Sequence, residues 1–172
     1  VAKEGVPVRL LDVGTGGGLP GIPLACVMKD EMHLTMLEST GKKADFLRTA
    51  TKELGLDGVE VIRDRAENAG QAQDHRARYD VVVSRAVGKL RVLLELTVPF
   101  CREQGLVLSI KGAQAQNEID EAKQALHMLH ATVVETVQTA TGRIVIVEKR
   151  RKTPARYPRM PGEPAKRPLG NA

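Results

Sequence analysis

The sequence predicts an α/β fold: a seven-stranded, mostly parallel sheet with helices on both faces, ended by an antiparallel hairpin. Three observations carry this expectation. Short β-branched and aliphatic runs alternate with longer stretches of helical periodicity through most of the chain, a rhythm that builds a parallel sheet with right-handed crossovers. A glycine-rich turn at 14–18 joins the first predicted strand to the first predicted helix. Near the end, strand-like runs at 132–137 and 143–148 are separated only by a short polar stretch containing Gly142. That gap cannot hold a crossover helix, so the two strands must pair antiparallel.

The first strand is read at 8–13, apolar apart from Arg9 and Asp12. The first helix spans 20–28, with Pro20 in the turn where no backbone donor is needed. A second strand covers 33–37 and leaves Glu38 at its end. The helix at 42–54 sets Ala44, Leu47 and Ala50 on one side, and Gly55 stops it. Further strands are expected at 59–62, 79–84 and 106–110, and further helices at 90–101 and 117–129. From about Thr153 onward lie five of the nine prolines, which predicts an extended arm without a packed element. The expected organisation is therefore an α/β unit over 1–150 and a basic, proline-rich arm over 151–172. No internal repeat is visible.

A length of 172 residues suits one such domain. The aromatics are only Phe46, Tyr79, Phe100 and Tyr157, so the core must be aliphatic and a platform of rings for stacking bases is excluded. Cys26 and Cys101 are too few and too far apart for a disulfide framework or a metal cage, and both read as small core side chains. His127 and His130 share a helix face, but no cysteine or carboxylate pattern completes a metal site. No apolar run is long enough to span a membrane, and the opening residues carry no apolar signal segment; a cytoplasmic protein is expected, with the plastid stroma as alternative. Charge is unevenly spread. From Lys149 onward there are eight Lys or Arg and one acid, Glu163, while the rest holds eighteen bases and twenty acids. The positive excess thus sits wholly in the tail, where it can neutralise phosphates or simply solvate the end of the chain.

The sharpest motif is Asp12-Val13-Gly14-Thr15-Gly16-Gly17-Gly18-Leu19-Pro20-Gly21. Glycines allow a tight turn and close approach of a ligand to the backbone, and ligands of open parallel sheets settle beyond the carboxyl ends of the strands. A dinucleotide fingerprint counted from Gly14 would need its third glycine where Leu19 stands, and no Gly-Lys-Ser/Thr of a P-loop is present. Glycines at 14, 16 and 18 after Asp12 look instead like the S-adenosylmethionine turn of class I methyltransferases. Glu38 is placed to accept hydrogen bonds from ribose hydroxyls, a role that a dinucleotide would fill equally well. The loop Arg63-Asp64-Arg65-Ala66-Glu67 follows the third strand, where a backbone amide at Ala66 or Glu67 could meet an adenine edge.

Taken with Leu37-Glu38-Ser39-Thr40-Gly41-Lys42-Lys43, Arg65-Ala66-Glu67, Ser84-Arg85-Ala86 and the tail from Tyr157 to Leu169, this turn resembles the small-subunit ribosomal RNA methyltransferase G family, also called glucose-inhibited division protein B, of bacterial or plastid type. The resemblance spans nearly the whole chain. It implies a class I (Rossmann-like) S-adenosylmethionine methyltransferase acting on N7 of a guanine in small-subunit (16S) ribosomal RNA. It implies cofactor contacts at Gly14, Leu19, Glu38, Ser39, Thr40, Ala66, Glu67 and Arg85, which Gly16 joins from the turn itself. Because N7 already carries an in-plane lone pair, no general base and no catalytic side chain is expected. Lys42, Lys43, Lys111 and Arg143 are candidate contacts to RNA phosphates. The expected partner is small-subunit ribosomal RNA or the 30S particle, met by a monomer away from any membrane. In one respect the sequence departs from the family: only seven residues precede Val8, where the family carries a helical segment.

Two other classes compete. An NAD-dependent oxidoreductase is disfavoured by the glycine spacing and the closing hairpin. A non-catalytic ribosome-binding module would use the basic tail alone and leave the intact glycine turn and Glu38 without a purpose.

Overall fold

The computed structural model describes residues 6–85 and 88–170. In chain order the elements are β1 (Val8–Val13), α1 (Gly21–Val27), β2 (Met32–Glu38), α2 (Gly41–Glu53), β3 (Glu60–Arg63), the one-turn α3 (Ala66–Ala69), β4 (Tyr79–Arg85), α4 (Leu90–Thr97), β5 (Cys101–Lys111), α5 (Ala115–Glu121), α6 (Lys123–Leu129), β6 (Ala131–Thr139), β7 (Gly142–Lys149) and the one-turn α7 (Glu163–Lys166). The sheet runs β3-β2-β1-β4-β5-β7-β6. Strands β1 to β5 pair in parallel; β7 pairs antiparallel with both β5 and β6. The predicted closing hairpin is thus present.

The central strands feed two cores because successive side chains point to opposite faces. Leu11 and Val13 pack with Val82, Leu90, Leu94, Leu126 and Leu129, the face covered by α4, α5 and α6. Leu10, Leu34, Met36 and Val83 pack with Ala25 of α1 and Leu47 of α2 on the other. Between β1 and β4 the chain turns from building one half of the sheet to building the other. At such a switch point the loops diverge and leave a crevice beyond the strand ends.

Three expectations need correction. The helix predicted at 90–101 stops at Thr97, since Pro99 has no N–H to donate back along the helix, and β5 begins at Cys101 rather than at 106. The single helix predicted at 117–129 is two, broken at Ala122, whose N–H is shared between the carbonyls of Glu118 and Ile119; no glycine or proline marks the break. Cys26, read as a core side chain, is exposed, whereas Cys101 is buried as expected.

The largest correction concerns the tail. The segment after Lys149 is packed: Thr153 is buried, and Tyr157 and Leu169 join the core under α4–α6. Proline-rich backbone offers carbonyls that need donors, and two side chains supply them. Arg76 donates to the carbonyls of Thr153, Pro154 and Tyr157, and Gln71 to those of Ala155 and Pro158, at 2.6 to 3.1 Å. The wholly buried Glu95 carboxylate of α4 receives Arg159 through Nε at 2.8 Å, Nη2 at 2.6 Å and the backbone N–H at 2.9 Å. The tail is a strap rather than a free arm.

Candidate active site

The crevice starts where β1 ends. Gly14 and Thr15 donate their N–H groups to the Leu37 carbonyl at 2.9 and 3.3 Å, which ties the glycine turn to the end of β2. Gly14, Gly16 and Gly18 have φ of +68°, +60° and +90°, a region that strains any residue with a Cβ. The three glycines differ in their surroundings. A Cβ on Gly18 would collide with Ile22 Cδ1, whereas a Cβ on Gly16 would meet nothing nearer than the Gly14 carbonyl at 4.0 Å. Gly18 is required for packing; Gly16 faces open space.

Asp12 holds the turn from below. Its Oδ2 accepts the Thr15 hydroxyl at 2.7 Å and the Gly21 N–H at 3.0 Å. Burial raises its pKa, against the lowering effect of these two bonds and of the nearby Arg85 charge. Its Oδ1 is buried without a hydrogen-bond partner.

Glu38, buried at the end of β2, spans the gap between the two loops. Oε2 accepts the Gly16 N–H at 3.0 Å and Oε1 accepts the Thr40 N–H at 2.8 Å. Each oxygen keeps a second lone pair. The carboxylate therefore sits beside the turn, still able to accept from a pair of hydroxyls.

On the far side of Glu38 a cleft of about 190 Å³ is lined by Gly14, Ser39, Ala66 and Glu67, and opposite them by Leu96 of α4 and by Pro164 and Ala165 of α7. Glu67 is 5% exposed, and its Oε1 accepts from Arg65 Nη2 and from the Gly162 N–H, each at 2.8 Å. Burial alone would raise its pKa, but these donors and the Arg65 charge bring it below the usual carboxylate range. The Glu67 carboxylate thus fastens the strap, leaving the backbone of Ala66 and Glu67 to face the cleft.

The structure brings Gly14, Gly16, Glu38, Ser39, Thr40, Ala66 and Glu67 together. Leu19 is 45% exposed beside them. Arg85 ends β4, exposed. The acids Asp80 and Glu95 pair elsewhere, with Arg102 and Arg159. Ala86 of the Ser84-Arg85-Ala86 motif lies outside the described residues. Among the phosphate candidates, Lys42 and Lys43 are exposed in the first turn of α2, next to Ser39 and Thr40. Arg143 is half-buried, with Nε on Gln138. Lys111 is not available to a phosphate. It is 8% exposed, and its Nζ lies 2.6 Å from the Gly88 carbonyl and 2.8 Å from Glu118 Oε2, which also accepts the Leu90 N–H. Its charge is used to hold the chain entering α4, a role that a buried strand end with an acid on the covering helix would have suggested. Leu96, Pro164 and Ala165 were not legible as site residues, because a tail rich in proline and charge gives no sign of where it folds back.

These features fit S-adenosylmethionine on structural grounds. The open space over Gly16 leaves room for a chain laid against the backbone. Glu38 can accept from a ribose diol. The orphaned Asp12 Oδ1 is an acceptor in want of a donor, such as an ammonium or a water.

Comparisons with known proteins agree. The family model described as rRNA small subunit methyltransferase G matches residues 1–147. The chain is 41% identical over 168 residues to the Ribosomal RNA small subunit methyltransferase G of Streptococcus equi subsp. zooepidemicus, covering 95% of this chain and 70% of that protein. It is 45% identical over 170 residues to the protein of that name from Rubrobacter xylanophilus, covering 94% of this chain and 65% of the relative. Among solved structures it is similar to a SAM-dependent methyltransferase from Aquifex aeolicus, with a TM-score of 0.63 at 15% identity, covering 83% of this chain and 82% of that one. At that identity the likeness supports the fold alone.

Proposed function

The chain belongs to the rRNA small subunit methyltransferase G family, and from that premise we propose how its residues carry a methyl group from S-adenosylmethionine to N7 of a guanine in 16S ribosomal RNA. Bound in the cleft, S-adenosylmethionine supplies an electrophilic methyl group on a sulfonium. The residues' work is to hold, orient and exclude water. Glu38 would accept the ribose hydroxyls while still bridging Gly16 and Thr40. Ala66 and Glu67 would hold the adenine edge through their backbone, and Leu96, Pro164 and Ala165 would cover it. Gly16, with open space where a side chain would stand, would leave room for the methionine end. No residue has to remove a proton, since N7 attacks through a lone pair it already holds. Fixing nucleophile, carbon and leaving group in line can supply on the order of 7–11 kcal/mol of the barrier. Arg85, at the end of β4, is assigned to positioning the cofactor or the guanine O6 rather than to stabilising charge, because the product base itself becomes positive.

Lys42 and Lys43, exposed beside the ribose site, are assigned to RNA phosphates. The enzyme acts as a monomer in the cytoplasm, on small-subunit ribosomal RNA or the 30S particle; no described helix is long and apolar enough to cross a membrane. The observation that carries this reading is the Glu38 carboxylate bridging the glycine turn and the end of β2, next to the cleft lined by Gly14, Ser39, Ala66 and Glu67. Incubating the protein with 16S ribosomal RNA and isotopically labelled S-adenosylmethionine, then digesting to nucleosides, tests it. Labelled 7-methylguanosine is expected; label on another atom or base, or none, would overturn the assignment.

A further inference from the structure

A second cavity, of about 400 Å³, opens at the other end of the sheet and is lined by Arg76, Arg78, Lys149, Lys152 and Thr153 with Gln73 and Ala77. Arg76 and Arg78 lead into β4. Lys149 ends β7, which runs antiparallel to β5 with Glu148 opposite Leu106. The cavity therefore lies where the parallel strands begin, away from the methyl-donor cleft.

Four of its lining residues are cations and none is an acid. Lys149 is 1% exposed, and its Nζ has one hydrogen bond among the described residues, to the Cys101 carbonyl at 2.6 Å. It forms no ion pair there; Glu103 acts on it only from a distance. Arg76 gives its guanidinium to the four carbonyls of Gly70, Thr153, Pro154 and Tyr157, neutral acceptors that leave its charge uncancelled. The Thr153 hydroxyl is buried with no partner. A buried ammonium with donors to spare, a second uncompensated cation and an orphaned hydroxyl are groups that the interior tolerates poorly unless something neutralises them.

We propose that this cavity is a phosphate-binding site, closed by the strap and filled either by a backbone phosphate of the RNA or by a free phosphate ester. A phosphate matches the inventory. Its oxygens can accept from Lys149 Nζ and from the Thr153 hydroxyl at the floor, and from Arg78 and Lys152 at the exposed rim, in the charge-assisted geometry such donors favour. The RNA source rests on the ribosomal RNA methyltransferase reading. The site itself does not.

Thermal unfolding of the full chain, in inorganic phosphate against chloride at matched ionic strength, tests the site without RNA or cofactor. The wild-type midpoint is expected to rise with phosphate concentration. Arg78→Ala/Lys152→Ala, at two exposed positions, should lose that rise, as should Lys149→Met, which keeps the buried volume. Lys52→Ala, at an exposed position of α2, should keep it. An equal rise in all four proteins, or none in the wild type, overturns the proposal. The salt dependence of binding to a 16S ribosomal RNA fragment then separates the sources. A log–log slope shallower by roughly 0.7–0.9 in Arg78→Ala/Lys152→Ala assigns one RNA phosphate to the cavity. An unchanged slope with the phosphate response lost assigns a free phosphate ester.

Discussion

Replacing Arg159 with alanine tests how the strap is held over the cleft. Glu95 is wholly buried, and of its three bonds from Arg159 only the backbone N–H would survive. If the strap stayed docked, the stranded carboxylate would cost about 3–5 kcal/mol. The alternative is for the strap to lift, admitting water to Glu95. Lifting exposes Tyr157 and Leu169, at about 1.5–3 kcal/mol each, and gives up the hydrogen bonds from Arg76 and Gln71 and the one that Glu67 accepts from the Gly162 N–H. The backbone entropy of the freed residues offsets part of this loss, so local lifting is the expected route. The variant should therefore lose at most about 3–5 kcal/mol in urea unfolding, with the change local. Trypsin should cut at Arg156 or Lys166 faster than in the wild type, and S-adenosylhomocysteine should bind more weakly because Pro164 and Ala165 leave the cleft wall. Adding Glu95→Leu should restore part of the stability by removing the stranded charge. Stability within about 0.5 kcal/mol of wild type, with unchanged trypsin rate and cofactor affinity, would refute the reasoning.

Three further outcomes are expected. Gly16→Asp should abolish S-adenosylhomocysteine binding by calorimetry at a stability cost of only about 1–2 kcal/mol, since its side chain enters open space rather than the core; retained affinity would misplace the methionine end. Lys111→Ala should lower stability by about 1–3 kcal/mol yet leave the salt slope of RNA binding unchanged, and a shallower slope would return Lys111 to the phosphate contacts. Burial, aided by the neighbouring Arg76 charge, holds the Lys149 pKa down to about 8, so in the fold this group loses its proton before it does in the unfolded chain. Above pH 8 the unfolded state then binds more protons and stability rises with pH. Cys101, pushed up to about 12 by burial, opposes this only above its ordinary value of 9.0. The stability of the wild type relative to Lys149→Met should thus improve by about 1 kcal/mol from pH 8 to pH 9; a flat difference in urea titrations would contradict the burial argument.

The parallel half of the sheet was readable because its strands are buried on both faces and so appear as unbroken aliphatic runs, such as Val81, Val82 and Val83. The glycine turn and Glu38 were readable because positive φ and a strand-end carboxylate leave residue-type signatures. Other features depend on contacts distant in sequence. The first residues of β5, Cys101 to Gly105, are polar and become strand by pairing across a register shift with Tyr79. Lys111 looked like a free cation because its acid, Glu118, belongs to a helix that folds back over it. The strap was hidden most completely. Its anchors Arg76, Gln71, Glu67 and Glu95 lie far earlier in the chain, and each alone reads as a solvated charge or amide.

The most direct test of the account is the affinity of S-adenosylhomocysteine for the wild type and for Glu38→Ala, measured by calorimetry with both proteins shown to be folded. Loss of two hydrogen bonds to a carboxylate, at about 1.5–3 kcal/mol each, predicts affinity weakened more than about a hundredfold. Equal affinity in the two proteins would mean that the methyl donor sits elsewhere.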